Sequence, residues 1–475
     1  MTEELLASAV GAAEMIRRSE VSSRELTQAV LAQIEACNPA VNAVVELRED
    51  LALAEAAAAD AQRGRGVRGP LHGVPITVKD SFNVTGLHTT WGNPAFGDYI
   101  ADTDATLVQR LRQAGAIIVG KTNVHFMLAD FAQTANEVYG VTNNPWATTH
   151  TPGGSSGGGA AALSSAMTFL EYGSDLVGSI RIPAAFCGVY GLKPSVGVVP
   201  LTGFQPPGPP AGPSDMTYMA AVGPLGRSAG DLRTALKVTA GPDGPSSKAY
   251  SWRLAPPRHA RLTDFRVGVV LDDDHAPVSS EVGTLLQKTV DALAEAGVKV
   301  VEGWPPGVDP NQDYESFGFH VGLFFAFQDP SQAVPPLAAF VDHEARRMAA
   351  RAAWGRYFAD VDVFLCPANF TPAFPHDTRP FEARTITTPE GDVPYDRQPF
   401  WISHASLSGL PSVAAPIGTT PGGLPVGVQV IGPLYEDDTP ITFAELLADV
   451  IGGYERPPLG NATSPVIAPS APRRR

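Results

Sequence analysis

The sequence predicts an α/β fold with a mainly parallel sheet covered by helices on both faces, and three observations indicate it. Short apolar runs alternate with segments of helical periodicity along much of the chain. A glycine separates a helical segment from the following apolar run at Gly115 and again at Gly297. Hydrophobic residues make up 44% and charged residues 17% of the 475 residues, which suits a globular protein with a substantial core. Because strand–helix–strand units join parallel strands, their repetition predicts a parallel sheet.

The first 65 residues are predicted to form an N-terminal helical region. Ser22 and Glu25 have the spacing of a capping box, in which each side chain satisfies a backbone N–H of the other residue. Apolar residues then recur at helical spacing from Leu26 to Ile34. Residues 50–63 are rich in alanine, which favours a second helix.

Residues 66–456 carry the repeated strand and helix signals and are predicted to form the main domain. The run PITVKD (75–80) is a short apolar segment bounded by turn residues. Asp104–Ala114 is predicted to form a helix that precedes the strand AIIVG (116–120). The second unit comprises FRVGVVL (265–271), a helix over 280–296 and the strand VKVVEG (298–303).

Three segments differ from this pattern. Residues 200–214 are so rich in proline and glycine that regular structure is excluded, and we expect a surface loop there. Residues 312–358 are predicted to be mostly helical. Residues 457–475 are predicted to form a disordered tail, and the basic end of that tail is too short to indicate nucleic acid binding.

Charge and composition argue against several classes of protein. Lys and Arg number 34 against 49 Asp and Glu, and the net charge of −15 argues against a partner with a phosphate backbone. The N-terminus lacks the basic start of a secretory signal, and no uninterrupted apolar run reaches the roughly 18 residues of a membrane-spanning helix. The three cysteines have no metal-binding spacing and suit a reducing compartment. The sequence therefore predicts a cytoplasmic protein that binds neither nucleic acid, membrane nor metal.

The stretch from Pro152 to Pro183 carries the clearest chemical signal. It places two serines, Ser155 and Ser179, in glycine-flanked segments with no histidine between them. Lys79 stands upstream in the apolar run VPITVKD. A lysine that is kept neutral by burial can replace histidine as the base that activates a serine. We interpret the three residues as a candidate serine hydrolase site.

Six blocks of this sequence occur in the order found in a known family. They are VPITVKD (74–80), GAIIVGKTN (115–123), TNNPW (142–146), TPGGSSGG (151–158), GSDLVGSIRIPAAFCGVYGLKPS (173–195) and GLPSVAAPIG (409–418). On these blocks the chain resembles the amidase signature family, whose members hydrolyse amides with a Ser–cis-Ser–Lys triad and no cofactor. The resemblance extends from about residue 20 to residue 435 and implies a single large mixed sheet, with a variable helical region at 312–358.

The resemblance assigns a role to each residue of the triad. Ser179 is the expected nucleophile, Ser155 follows a cis peptide bond and relays the proton, and Lys79 is the terminal base. For Lys79 to accept a proton, burial must lower its pKa from the ordinary value near ~10.4. The implied reaction passes through an acyl-Ser179 intermediate, releases ammonia or an amine, and ends with hydrolysis by water.

The expected oxyanion hole departs from the pattern of the family at one position. By resemblance it comprises the backbone N–H groups of Leu176, Val177, Gly178 and Ser179. The family usually has two glycines before the nucleophile, whereas this chain has Val177 and Gly178. Either the backbone at Val177 is ordinary and the side chain narrows the pocket, which we favour, or the hole is distorted.

Further residues are candidates for supporting roles. Ser156, Asp175 and Arg181 are expected to hold the two serine segments in place, and Cys187 is expected to be a core residue. Four apolar residues could line the substrate pocket or belong to the core: Met127, Phe131, Phe204 and Trp401.

Three alternatives remain open from the sequence. The pattern GGSSG (153–157) could make Ser155 the nucleophile of an α/β-hydrolase with His404 as base, although no apolar strand precedes it. The chain could instead be the glutaminase component of a tRNA-dependent amidotransferase, which acts with a partner protein. It could also be a binding protein that has lost catalysis. The favoured prediction is an amidase for a small linear amide, and homodimerisation is expected by analogy with relatives.

Overall fold

The computed structural model describes residues 8–62, 66, 69–207, 219–328 and 334–461. The helices within these ranges are α1 (Ala9–Arg17), α2 (Ser23–Val41), α3 (Glu49–Gln62), α4 (Thr106–Gln113), α5 (Gly157–Ser164), α6 (Arg181–Cys187), α7 (Ala229–Thr239), α8 (Ser280–Glu295), α9 (Pro310–Gln328), α10 (Leu337–Tyr357), α11 (Phe400–Ser408), α12 (Asp438–Ile451) and α13 (Pro458–Asn461). The strands are β1 (Val44–Leu47), β2 (Pro75–Lys79), β3 (Ile117–Thr122), β4 (Ala135–Asn136), β5 (Gly140–Val141), β6 (Leu170–Asp175), β7 (Tyr190–Lys193), β8 (Ala221–Gly226), β9 (Arg266–Val269), β10 (Lys299–Glu302), β11 (Val363–Pro367), β12 (Thr385–Thr388), β13 (Gly391–Pro394), β14 (Ser412–Thr419) and β15 (Pro425–Ile431).

Eight strands form one large mixed sheet in the order β10-β9-β11-β15-β14-β7-β8-β6. Strand β15 is buried along its whole length, and α6 and α12 both pack against it. A strand without an exposed face needs cover on both sides of the sheet. These features confirm the α/β class and the large mixed sheet.

The prediction that the sheet is mainly parallel is wrong. Strand β9 is parallel to β10 and to β11, but the other five pairings in this sheet are antiparallel. The predicted unit β9–α8–β10 does form a parallel pair, as a helical crossover requires. Elsewhere the chain connects neighbouring strands differently, and β14 returns through a short turn as its antiparallel partner β15. The strand–helix–strand pattern in the sequence therefore does not predict the direction of those strands.

A second sheet of three strands, in the order β1-β3-β2, brings the N-terminal region to the functional site. Strands β2 and β3 are parallel, and α4 connects them as predicted. Strand β2 also lies beside β6, where the Phe169 N–H, just before β6, donates to the Pro75 carbonyl oxygen at the start of β2 (3.4 Å). The last residue of β2, Lys79, therefore lies next to the end of β6.

The N-terminal predictions agree with the structure in most of their detail. The capping box of Ser22 and Glu25 starts α2, and α3 lies where the alanine-rich segment predicts it. Strand β1 is an addition to the predicted helical region, and it ties that region to β3. The division of the chain into domains stays a prediction.

The remaining segments are partly within the described residues. Helices α9 and α10 occupy most of 312–358, as predicted. Residues 200–207 contain one isolated bridge, between Phe204 and Phe82, and 208–214 lie outside the described residues. The predicted tail begins too early, because Pro458–Asn461 is helical, and residues after 461 lie outside the described part. Among the helices that the structure describes, none is long and apolar enough to cross a membrane.

Candidate active site

Lys79 lies at the centre of a buried group of hydroxyls. Its side chain has no solvent exposure, and Nζ is within hydrogen-bonding distance of three serine oxygens. The distances are 2.7 Å to Ser155 Oγ, 2.9 Å to Ser156 Oγ and 2.9 Å to Ser174 Oγ. A hydroxyl both donates and accepts, so these partners do not require Lys79 to carry a proton.

Burial lowers the pKa of Lys79 to about 7, because the charged ammonium loses its hydration. The carboxylates of Asp175, Glu171 and Asp80 act in the opposite direction. At neutral pH a large fraction of Lys79 is therefore an uncharged amine, whose lone pair can accept a proton.

Ser155 stands in a tight turn that only small residues can form. The Gly154–Ser155 peptide bond is cis, as the resemblance implies, and Gly153 has a left-handed backbone (φ +82°). A Cβ at position 154 would lie 1.9 Å from the Gln133 carbonyl oxygen, which excludes any side chain there. Thr151 holds the base of the turn, since its hydroxyl donates to the Ala132 carbonyl oxygen (2.6 Å).

Ser179 lies on the segment between β6 and α6, and 6% of its surface is exposed. Ser156 donates its backbone N–H to the Ser179 carbonyl oxygen (3.2 Å). Ser156 is also the residue before α5 and a neighbour of Lys79 Nζ. One residue thus joins the segments of both candidate catalytic serines to the lysine.

A buried ion pair shapes the turn that carries Ser179. Arg181 donates Nη2–H to Asp175 Oδ1 (2.8 Å) and Nε–H to Asp175 Oδ2 (3.0 Å). Asp175 Oδ1 also accepts the backbone N–H of Gly178 (3.0 Å). Burial raises the pKa of Asp175, but the neighbouring Arg181 outweighs burial and holds this pKa below its usual range. The carboxylate therefore stays charged and fixes the turn.

The backbone around the expected oxyanion hole is ordinary at Val177. The left-handed residue of this turn is Gly178 (φ +85°), where a Cβ would lie 2.7 Å from Ile182 Cδ1. Val177 is absent from the left-handed region, so a valine is accommodated without strain. Gly178 already donates its N–H to Asp175, which leaves Leu176, Val177 and Ser179 as the candidate donors toward a reacting oxygen.

Comparisons with known proteins show the family to which the chain belongs. The model of the Amidase family matches residues 25–326 and 332–440. This chain belongs to the amidase family. It is 32% identical to an acylamidase of Rhodococcus erythropolis, with 90% of this chain and 93% of that protein covered. It is 29% identical to one of the subunits of the glutamyl-tRNA(Gln) amidotransferase of Acaryochloris marina (strain MBIC 11017), with 88% of this chain and 92% of that protein covered. A solved amidase structure, 28% identical, superposes with a TM-score of 0.77 and covers 94% of this chain and 100% of that one.

Two of the four predicted pocket residues of this amidase-family chain are core residues. Trp401 has no exposure and donates its indole N–H to the Ala276 carbonyl oxygen (3.1 Å). Phe204 is buried and packs on the rings of Phe82 and Trp91. The alternative that these aromatics belong to the core therefore holds.

Phe131 and Met127 lie on a segment that touches the site. Gly154 donates its N–H to the Phe131 carbonyl oxygen (3.1 Å), which places this residue directly beside the cis turn. The Phe131 ring stacks on Tyr395, and the centroids are 5.5 Å apart. Met127 is partly buried in the same segment. These two residues remain candidates for a substrate pocket.

Sequence reasoning missed three polar contributions to the site. Ser174 contacts Lys79 Nζ, and the signal for it is its place in the family block that begins at Gly173. Glu171 is buried on the same strand and accepts the hydroxyl hydrogens of Thr77 and Thr122. Arg384 binds Asp130 at 2.6 Å next to Phe131, but 254 residues separate the pair, so no local pattern reveals it.

The alternative with Ser155 and a histidine finds no support in the geometry. Both ring nitrogens of His404 are buried without a hydrogen-bond partner in the described structure, and burial lowers its pKa to about 3. The chain before Ser155 is irregular from residue 151, and the preceding strand, β5, ends at Val141. The nucleophile elbow of an α/β-hydrolase needs a strand immediately before the serine.

Cys187 is a buried core residue, and burial raises the pKa of its thiol.

Proposed function

We propose that this chain hydrolyses a carboxamide C–N bond to a carboxylate and ammonia or an amine, through an acyl-Ser179 intermediate. The observation that carries the proposal is the distance of 2.7 Å between the buried Lys79 amine and Ser155 Oγ. The turn that carries Ser155 is hydrogen-bonded to Ser179 through the backbone of Ser156. A base with a pKa near the working pH suits proton transfer. We take a small linear amide as the substrate, and the similarity to an acylamidase supports an acyl amide as its class.

In the first half of the proposed reaction, Ser179 Oγ attacks the amide carbonyl carbon. The proton of Ser179 passes to Ser155 Oγ as the proton of Ser155 passes to Lys79 Nζ. Backbone N–H groups of Leu176, Val177 and Ser179 stabilise the tetrahedral oxyanion. The intermediate collapses, the C–N bond breaks, and the leaving nitrogen takes the proton back from Lys79 through Ser155.

In the second half, water attacks the acyl carbonyl carbon and loses a proton along the same path to Lys79. Collapse of this second tetrahedral intermediate breaks the ester bond to Ser179 and releases the carboxylate. The returned proton restores the Ser179 hydroxyl. The cycle closes with Lys79 neutral and without a net change in any residue.

The test compares the native chain with Ser179→Ala on a panel of small amides, with release of ammonia or amine as the readout. We expect the variant to lose about 10⁴-fold or more in kcat. Ser165→Ala is a matched control, because Ser165 is also a buried serine and lies at the C-terminal end of α5. Activity that survives in Ser179→Ala would point to Ser155 as the nucleophile and contradict the proposal.

A glutaminase role in a tRNA-dependent amidotransferase complex is the second candidate. The observation that favours it is the 29% identity to a glutamyl-tRNA(Gln) amidotransferase component over nearly the whole chain. Hydrolysis of simple amides by the isolated chain favours the free-standing amidase. Glutamine hydrolysis that requires a co-purified second protein favours the complex.

We further propose that the Val177 side chain narrows the acyl pocket. Val177 is half-buried, and its backbone is ordinary, so the steric effect of its branched side chain is the remaining difference from glycine. Val177→Gly should raise kcat/KM for bulky acyl groups several-fold relative to acetyl. Unchanged selectivity across an acyl series would remove this steric idea. Homodimerisation and a cytoplasmic location stay predictions.

A further inference from the structure

A cavity of about 890 Å³ lies beside α10 and α11 and contains none of the three proposed catalytic residues in its lining. Its walls include the chain after β7 (196–201), the segment 241–252 and parts of α10 and α11. Strands β6 and β7 are both antiparallel to β8, so their C-terminal ends lie at the same edge of the sheet. The cavity thus opens on the edge that carries Ser179, but two strands further along.

Arg351 projects into this cavity without a counterion. It is half-buried on α10, and among the described residues it makes no hydrogen bond or ion pair. Its Nη2 lies 3.4 Å from the position that a Cβ on Gly409 would take, which places the guanidinium at the end of α11. By contrast, Arg346 on the same helix pairs with Asp342 at 2.9 Å. A half-buried cation without a partner favours an anionic ligand, because burial otherwise costs free energy.

Ser406 supplies a second donor in the wall of the cavity. Its Oγ accepts Nη2–H of Arg181 (2.7 Å), and a guanidinium has no acceptor to offer in return. The Ser406 hydroxyl hydrogen is therefore available to another acceptor. Ser406 and Arg351 both line the cavity, and Ser406 lies three residues before Gly409, the residue that Arg351 approaches.

The rest of the lining defines the body of the ligand. Val198, Leu201, Trp252 and Leu407 provide apolar surface for an alkyl or aryl group. Asp243 lies in the wall as well, and it accepts the Thr106 hydroxyl (3.0 Å). Asp243 would repel a second carboxylate placed beside it, and Arg347, the other arginine of the lining, is already paired with Glu344 (2.7 Å), so we expect one anionic group on the ligand.

We propose that this cavity binds a monocarboxylate with an apolar body, and that Arg351 and Ser406 hold the carboxylate group. The site goes beyond the proposed amidase chemistry, which needs neither residue to touch the reacting bond. A carboxylate on a guanidinium and a hydroxyl makes charge-assisted hydrogen bonds, which are the strong class.

The test is a calorimetric titration of the Ser179→Ala chain, so that the result does not depend on amide turnover. The probes are 4-phenylbutyrate and 4-phenylbutanol, which share the apolar body and differ in charge. We expect the acid to bind at one saturable site and the alcohol to bind at least about 10-fold more weakly. Equal affinities for the two probes would overturn the proposal, and this comparison requires no change in the cavity.

Substitutions at two arginines of α10 locate the binding site. Arg351→Gln should weaken 4-phenylbutyrate at least about 10-fold, Arg351→Lys should weaken it less, and Arg346→Gln should leave it unchanged. If Arg351→Gln does not change the affinity for 4-phenylbutyrate, Arg351 does not hold the carboxylate and the proposal is wrong. In the native chain, saturating acid should not block labelling of Ser179 by a fluorophosphonate. A complete block would place the acid at the catalytic serine and refute a separate site.

Discussion

Lys79 and Lys121 are both fully buried on neighbouring parallel strands, yet their amines have different partners. Lys79 pairs with Thr122 in the register and Lys121 with Val78, so the two side chains point to opposite faces of the sheet. Lys79 Nζ faces three hydroxyls, whereas Lys121 Nζ donates to the carbonyl oxygens of Asp80 (2.6 Å) and His88 (2.5 Å). A carbonyl oxygen only accepts, so Lys121 is held as a donor, while Lys79 can receive a proton.

The comparison teaches that burial alone does not make a lysine into a base. Burial lowers both values, the pKa of Lys79 to about 7 and that of Lys121 to about 8. Lys121 also has the Asp80 carboxylate 4.0 Å away, which favours its charged form. The partners of each amine therefore separate a proposed catalytic role from a structural one, and substitutions at each position test this separation.

The largest expected effect is the loss of activity in Lys79→Met. Without the amine, the proton of Ser155 has no acceptor, and kcat should fall about 10⁴-fold or more. The measurement is single-turnover amide hydrolysis, with circular dichroism to show that the fold is kept. A variant that retains a tenth of the native rate would mean that another group is the base.

Lys121→Met should affect stability rather than chemistry. It leaves the carbonyl oxygens of Asp80 and His88 without their buried donor and removes a cation near the Asp80 carboxylate. We expect the free energy of unfolding to fall by about 3 kcal/mol, as measured by urea denaturation. The rate of the folded fraction should stay within a few-fold of the native rate. A loss as large as that of Lys79→Met would abolish the distinction between the two lysines.

The dependence of the rate on pH follows from Lys79. The protonated ammonium cannot accept a proton, so kcat/KM should fall as pH drops through the pKa of about 7 and approach a tenfold loss per pH unit below it. At pH 5 the rate should be about 100-fold below its plateau. A profile that is flat from pH 5 to pH 9 would count against Lys79 as the base. Lys121→Met provides the control, and the pH at which kcat/KM declines should be the same in this variant as in the native chain.

A residue of the candidate site could be predicted from the sequence when the pattern that reveals it lies within one contiguous segment. Ser155 and Ser179 stand among glycines in contiguous motifs, and Lys79 ends an apolar strand, so the three candidate residues could be identified without the fold. Glu171 lies in the buried strand β6, and nothing in the sequence of that strand indicates the two threonines that bind its carboxyl group. Arg384 and Asp130 meet only through the tertiary fold.

The wrong prediction of a mainly parallel sheet also arises because sequence patterns are local. The unit β9–α8–β10 is local, and its sequence correctly predicts a parallel pair. The pairing of β14 with β7 joins segments that are more than 200 residues apart, and nothing in either strand specifies its direction. Local patterns thus identify elements and motifs, while the order and direction of distant strands depend on packing that one segment does not encode.

The smallest expected effect concerns Glu171, which acts on Lys79 through its charge only when it is ionised. Its carboxylate is one of three that raise the pKa of Lys79 against the effect of burial, together with Asp175 and Asp80. Burial also raises the pKa of Glu171 to about 8, so this carboxyl group is mostly protonated over the pH range in which Lys79 titrates. Glu171→Gln removes the charge and keeps the shape; its amide oxygen can accept one of the Thr77 and Thr122 hydroxyls, and its NH2 group can donate to the oxygen of the other.

Because Glu171 has a pKa of about 8, it is almost wholly protonated at pH 6, and removing its carboxyl group should change the protonation of Lys79 very little there. The decline of kcat/KM toward low pH in Glu171→Gln should stay within about a tenth of a pH unit of its native position, with equal rates at pH 6 and on the plateau. The measurement is kcat/KM from pH 5 to pH 9 for both chains. A displacement to lower pH of about half a unit or more would show that Glu171 is ionised beside Lys79 and would contradict this expectation. A fall in the plateau rate without a shift would assign Glu171 to packing between β2, β3 and β6.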